Sequence, residues 1–244
     1  METLLRGRYR ARLAASDADL AMTLALRGRM FRKGRAPDGD AYDASCRHVL
    51  IEEIETGALV GTFRLLSLPS GKALGKSYAA QFYKLGNLSA YAKPILEIGR
   101  FCIDPAWTDG DIPRIAWAAI TRIVDAEGIG LLIGCTSFKG SDPDAFADAF
   151  ALLRERHLPP RGWRIGAKAP EVYPFAQILD GEPYDPRAAQ GQLPPLLRSY
   201  LQLGGWVSGH AVIDRDLDTL HVFTGLEISA IPPARAAALR LIAG

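Results

Sequence analysis

Apolar positions recur on a helical period over residues 18–31, at Leu20, Leu24, Ala25 and Met30, and Asp17 is placed to cap the helix this spacing predicts. The last turn and the loop beyond it carry Arg27, Arg29, Arg32, Lys33 and Arg35, after which the chain turns acidic at Asp38, Asp40 and Asp43. Cations at a helix C-terminus followed by a solvated loop account for most of these charges, although so dense a basic cluster also invites an acidic partner. Residues 48–53 and 59–66 are β-favouring runs joined by Glu55-Thr56-Gly57, the pattern of a hairpin. Arg64 lies inside the second run. Periodicity places it at a sheet edge with its stem along the sheet; the alternative is a guanidinium aimed into a polar site.

The run from 95 to 103 is apolar except at Glu97, Gly99 and Arg100. Strict alternation sends Glu97 and Arg100 to opposite faces, whereas a bulge at Gly99 would bring both to one face. A core ion pair between the two is the other reading. Pro113, preceded by Asp109 and Asp111, opens a helix with a buried stripe of Ala116, Trp117, Ile120, Ile123 and Val124 that Gly128 ends; a buried strand over 129–135 completes a β-α-β unit. Asp142-Pro143 opens a further helix, Pro194-Pro195 a short one over 196–203, and strands are expected at 209–213 and 220–227. Residues 67–92 read as a long excursion with one short helix, of a length that is often functional. With no repeat, long linker or low-complexity segment, a single mixed α/β domain over 1–244 is expected.

Charge and composition narrow the function classes. Lys and Arg number 29 against 27 Asp and Glu, a net +2, too balanced for bulk nucleic-acid binding. The apolar stretches at 115–120 and 131–133 fall far short of the ~20 residues that span a bilayer. Leu4-Leu5 precedes Arg6, Arg8, Arg10 and Arg12, the reverse of a secretory signal, so this is read as mature sequence. Alternate arginines suit either an exposed strand face or contact with anionic lipid at the inner membrane. Cys46, Cys102 and Cys135 are too few and dispersed for a disulfide framework, and no spacing of Cys or His offers a metal site, so a cytoplasmic protein without metal is expected. Cys135 ends a buried strand with no neighbouring histidine and reads as an inert core thiol. Trp117 and Trp206 are likewise assigned to the core, and the four histidines lack triad or ligand spacing.

The strand Glu97-Ile98-Gly99-Arg100-Phe101-Cys102-Ile103, the βα unit after it, and the strand ending Gly134-Cys135-Thr136-Ser137-Phe138 together resemble the ornithine N-acyltransferases, members of the GCN5-related N-acetyltransferase-like (GNAT-like) fold. The helix with Arg27 and Phe31, the loop with Asp43, the Arg64 strand, the segment from Leu193 to Tyr200, and Asp214 extend the resemblance over most of the chain. The front half also resembles acyl-homoserine-lactone synthases; Leu193-Pro194-Pro195-Leu196-Leu197 favours the former family. The resemblance implies an α/β GNAT-like acyl-CoA N-acyltransferase fold, a mixed central sheet flanked by helices, as one domain with a C-terminal extension. It implies transfer of a 3-hydroxyacyl chain from acyl carrier protein to the α-amine of ornithine, with no cofactor beyond the carrier thioester; acylation of glutamine or another amino acid, or acyl-homoserine-lactone synthesis, are the alternatives. Family members that use acetyl-CoA hold its pyrophosphate in a glycine-rich loop at a helix N-terminus. Here the position reads Trp107-Thr108-Asp109-Gly110-Asp111, whose carboxylates would repel a pyrophosphate and suit a carrier with a single phosphate.

The same resemblance implies site roles. Glu97 is the expected general base, directly or through a water, or the group that positions the ammonium. Arg100 and Arg64 are expected to bind the acceptor carboxylate, with Asp43 and Ser137 also substrate-binding. Backbone at Gly99 and Phe101 is expected to serve the oxyanion. Arg27, Arg29, Arg32, Lys33 and Arg35 are expected to dock the acidic carrier protein.

Overall fold

In the computed structural model, which describes residues 1–34 and 36–244, the first helix runs Asp17–Phe31, but its cap is Ser16, not Asp17. Ser16 Oγ accepts the Asp19 N–H at 3.2 Å, which relieves one of the unpaired donors of the first turn. The Asp19 carboxylate turns back to the Arg12 guanidinium at 2.7 and 2.8 Å, tying helix to strand. The chain forms two compact units, each of non-contiguous segments: Met1–Ser67, Leu96–Ile129 and Pro233–Gly244 in the first, Leu68–Ile95 and Gly130–Pro232 in the second.

In the first unit the strands Leu4–Arg6, Tyr9–Leu13, Arg47–Glu53 and Leu59–Leu68 pair antiparallel in that order, and Ile95–Ile103 lies on the far side of Leu59–Leu68. The expected hairpin is present, with Val49 opposite Phe63 and Leu50 opposite Thr62. Because Leu59–Leu68 has a neighbour on both sides and is buried on both faces, Arg64 is an interior residue, 3% exposed, and the edge expected from periodicity is wrong. The arginines of the first two strands pair with carboxylates of the same chain: Arg10 and Arg12 converge on Glu52 Oε2 at 2.7 and 2.9 Å, Arg6 meets Asp111 at 3.3 Å and Arg8 meets Asp109 at 3.6 Å. The Arg8 side chain remains 57% exposed.

The helix Asp111–Glu127 buries Ile112, Ile115, Ala116, Trp117, Ile120 and Ile123, and ends at Gly128, whose φ of +59° is the left-handed cap conformation. Against it packs a helix for which the sequence offers no apolar stripe, Pro233–Ala243. Its less exposed positions are Ala236, Leu239, Ile242 and Ala243, and Arg240 reaches Asp125 through two bonds of 2.9 Å.

In the second unit Leu131–Lys139, Thr219–Glu227, Ala211–Asp214 and Val172–Tyr173 pair antiparallel in that order, and Trp206–Val207 adds to Thr219–Glu227. One core of this unit gathers Phe138, Phe150, Phe175, Leu193, Leu197 and Val222. The Leu-Pro-Pro-Leu-Leu motif is therefore structural: its leucines at 193 and 197 enter this core, and Pro195 starts the helix Pro195–Gln202. The excursion after residue 67 contains 3₁₀ segments at Gly71–Lys76, Ala79–Gln81 and Gly86–Leu88 and a short strand, Tyr83–Lys84, paired with Gly166–Ala167. Among the described residues no helix is long and apolar enough to cross a membrane.

One glycine sets the path of the chain beyond the first helix. There the backbone folds back across Gly28, with the Gly34 N–H donating to Gly28 O and the Asp38 N–H to Leu24 O, both at 3.0 Å. A Cβ on Gly28 would collide with the Ala36 carbonyl. Helix propensity alone favours Gly28→Ala by about 1 kcal/mol, so the substitution isolates the clash. We expect a net destabilisation of ~1–3 kcal/mol, read as a lower urea midpoint at unchanged slope. A variant more stable than the parent would show that the Ala36 backbone yields.

Candidate functional site: a buried arginine–aspartate cluster beside Glu97

Burying a guanidinium is unfavourable unless its charge and donors are met. Arg27 is 1% exposed and is met fully: Nε and Nη2 each donate to Asp38 Oδ2 at 3.1 Å, while Nη1 and Nη2 reach Asp43 Oδ1 and Oδ2 at 2.7 and 3.3 Å. The loop read as solvated is thus the counter-charge of a buried helix residue. Arg64 Nη1 joins from its strand, donating to Asp40 Oδ1 at 2.6 Å and Asp43 Oδ1 at 2.7 Å. Arg100 Nε reaches Asp38 Oδ2 at 2.8 Å and its Nη2 reaches Asp40 Oδ2 at 3.2 Å; Arg32 Nε meets Asp38 Oδ1 at 3.0 Å. Four guanidiniums therefore converge on three carboxylates.

The backbone irregularity in the Ile95–Ile103 strand is at Arg100, not at the Gly99 bulge expected from sequence. Gly99 keeps an ordinary strand φ, and the left-handed residue is Arg100, at φ +52°. Such a conformation is disfavoured for a side chain other than glycine, and the contacts of Arg100 with Asp38 and Asp40 hold it there. Gly99 has a different purpose. A Cβ on it would lie 3.3 Å from Arg64 Nε, so its bare backbone leaves the lane along which the Arg64 side chain runs. Phe101 stacks on Phe63 with ring centres 5.4 Å apart.

Glu97 is buried in the same strand. Its charge is felt by two groups at the cluster: Tyr42, whose pKa is raised by burial and then by Glu97 and Asp40, and Cys46, pushed up to about 11 by burial with Glu97 contributing. The Tyr42 ring lies over Arg64, the guanidinium carbon 5.8 Å from its centre. Burial would raise the Asp43 pKa, but hydrogen bonds from Arg27, the Asp40 N–H and Arg64 hold it down at about 2. Asp38 is likewise lowered despite burial, by Arg100, Arg27 and Arg32. His48, opposite Arg64 across the hairpin, is buried with Nε2 3.2 Å from Asp43 O, and burial lowers its pKa.

Several expected roles change. Arg27 is no docking residue, because it is buried and consumed by Asp38 and Asp43. Arg32 is half-buried on Asp38, whereas Arg29, paired with Asp104 at 3.0 Å, and Lys33 are exposed; Arg35 lies outside the described residues. Arg64 and Arg100 are not open guanidiniums awaiting a carboxylate but ties to Asp38, Asp40 and Asp43. Ser137 is exposed on Leu131–Lys139 of the second unit, opposite His221. Asp38, Asp40, Tyr42 and His48 were not singled out from sequence as site residues; the signal for them is the excess of arginines in otherwise apolar elements, which demands carboxylates from elsewhere.

At the start of the helix Asp111–Glu127, Asp109 Oδ1 accepts the Asp111 N–H at 2.9 Å and Asp109 O accepts the Ile112 N–H at 3.2 Å. The carboxylates that were expected to repel a pyrophosphate are paired with Arg6, Arg8 and Arg114, so their repulsion is reduced. They act instead by occupying backbone donors that an anion would use.

Comparison with known proteins places this geometry. Residues 24–118 match the acetyltransferase (GNAT) domain family. The chain is 31% identical over 238 residues to an L-ornithine N(alpha)-acyltransferase of Rhizobium meliloti, covering 90% of this chain and 80% of that one. It is 30% identical over 239 residues to an L-ornithine N(alpha)-acyltransferase of Rhodobacter capsulatus, covering 91% of each. Among solved structures, an N-acyl amino acid synthase from uncultured soil microbes matches with a TM-score of 0.51 at 10% identity over 97% of both chains. A CoA-dependent acyl-homoserine lactone synthase matches with 0.51 at 12% identity over 96% of this chain and 95% of that one. The GNAT-like fold expected from sequence is thus the fold of the chain.

Asp43 carries a testable share of stability. Its folded pKa of about 2 lies below the ~3.9 of an unfolded aspartate, so its contribution is complete above about pH 4 and is lost as the pH falls through about 2. Asp43→Asn leaves Arg27 and Arg64 short of a charge, and should cost ~3–5 kcal/mol at neutral pH. The variant should also show a shallower acid limb when urea midpoints are compared from pH 7 to pH 2. An unchanged acid limb would assign that stability to other carboxylates.

Proposed function

Since the chain belongs to the family of the L-ornithine N(alpha)-acyltransferases, we propose that it transfers an acyl chain to the α-amine of L-ornithine, and that the donor is a 3-hydroxyacyl thioester of acyl carrier protein. The product is then a lyso-ornithine lipid, and the enzyme works in lipid biosynthesis, in peripheral contact with a membrane. The single observation that carries the reading at the site is the placement of a buried glutamate, Glu97, in the strand whose Arg100 joins the buried guanidinium–carboxylate cluster. An amino acid is a zwitterion. Its ammonium is drawn to Glu97 and its carboxylate to the guanidiniums of the cluster.

The chemistry then runs in three moves. Glu97 takes a proton from the ammonium, directly or through a water; the freed amine attacks the thioester carbonyl; and the tetrahedral oxyanion collapses to an amide with release of the pantetheine thiol. Backbone donors at the Gly99–Phe101 stretch serve the oxyanion. The self-occupied helix start at Asp109 supports a donor that brings one phosphate rather than a pyrophosphate. The exposed Arg29 and Lys33 remain the surface offered to an acidic carrier.

Purified protein given 3-hydroxyacyl carrier protein and a panel of amino acids should release thiol with ornithine and yield N-acylornithine by mass spectrometry. Glu97→Gln should fold normally and lose activity by roughly a hundredfold or more. Full turnover by that variant would remove Glu97 as the base. Equal turnover with glutamine would move the acceptor to a broader class, and a lactone formed from S-adenosylmethionine would reassign the reaction.

A further inference from the structure

The exposed large apolar side chains of the second unit are Leu158 and Ile178, 40% and 53% exposed, among the described residues. Leu158 and the short helix that carries Ile178 both approach Gly209. A Cβ on Gly209 would lie 3.8 Å from Leu158 Cδ2 and 3.0 Å from Ala176 Cβ, and Ala176 belongs to the short helix Phe175–Ile178 that ends in Ile178. The segment carrying Leu158 is a rigid strap rather than a loose loop. His157 O accepts the Val207 N–H at 2.8 Å, Arg164 O accepts Asn87 Nδ2 at 2.7 Å, and the Trp163 ring is held between Tyr91 and Trp206 at 5.6 and 6.0 Å. Residues 154–168 hold five basic residues against the single acid Glu155, in a chain whose net charge is only +2. Arg154 and Arg156 are answered by Asp180 and Glu155. Arg161 and Arg164 are exposed and meet no carboxylate among the described residues.

We infer that this strap is a membrane-contact surface, in which Leu158 and Ile178 enter the interface of an anionic bilayer while Arg161 and Arg164 meet its headgroups. The charge match alone fits an acidic protein equally well. Two aliphatic side chains held outward beside unpaired guanidiniums decide for a bilayer, which rewards apolar insertion and cationic charge together. The inference rests on the preceding reading for its purpose, because an acylated amine partitions to a bilayer, but the surface does not depend on which amine is acylated.

The test floats the full chain with phosphatidylcholine vesicles, with and without phosphatidylglycerol. The parent should float only with the anionic vesicles, and less as salt is raised. Arg161→Glu with Arg164→Glu should weaken partitioning by roughly tenfold or more, and Leu158→Ser should weaken it at unchanged charge. In a vesicle-free assay with soluble carrier thioester, the charge-reversed protein should keep the parent's turnover. A parent that ignores anionic vesicles, or a charge-reversed protein that floats as well as the parent, overturns the assignment. So does a raised KM for the carrier thioester in that variant, which would make the strap a carrier dock. A chain that floats as described but acylates no amine would sink the proposed reaction and leave the surface supported.

Discussion

A guanidinium that is 1% exposed must be neutralised where it stands, and in this chain that requirement falls on Arg27. Its two partners, Asp38 and Asp43, come from a loop that would otherwise extend into solvent. To deliver them the chain must reverse directly after the first helix, which it does by crossing the helix where Gly28 offers no side chain. Once there, the same carboxylates collect Arg64 from one strand and Arg100 from the next, so that helix, loop and two strands are fixed by one set of charges. Glu97 inherits its surroundings from this arrangement, since it lies in the strand that Arg100 anchors.

How far all this could be read from the sequence varies with the physical source of each signal. The hairpin, the helix after Asp111 and the strand bearing Glu97 were legible because each has a periodic apolar face or a flanking turn. Arg64 misled, since a strand buried on both faces loses the alternation by which edge and centre are told apart. Arg27 and Asp38 misled for another reason: local patterning sees a basic helix end and an acidic loop, but not the reversal that brings them together. Ser16 and Asp17 are both competent caps, one residue apart, and only geometry separates them. The helix Pro233–Ala243 left no trace because its alanines have no strong face, and its partner lies more than a hundred residues earlier. The Glu97–Ile103 signature, by contrast, carried the family resemblance without any structural help.

The start of the helix Asp111–Glu127 is closed by the chain's own charges. In this architecture the first turn of that helix is a ready anion site, because its N–H groups point outward unpaired. Here a carboxylate of the chain itself takes up the donor of Asp111, and arginines of the first two strands neutralise what remains. The N-terminal strands thus make the self-occupied turn electrostatically tolerable.

The interleaving of the two units has a consequence for how the protein is made. The first unit begins with residue 1, yet it includes Pro233–Gly244, which is translated only after both segments of the second unit, Leu68–Ile95 and Gly130–Pro232. During synthesis the apolar side of Asp111–Glu127 that receives Pro233–Ala243 stays uncovered while more than a hundred further residues emerge. By then all of the second unit has emerged, and it can complete its own core. The unit that starts the chain is therefore also the one that ends it, and its last helix cannot dock until translation has passed the second unit.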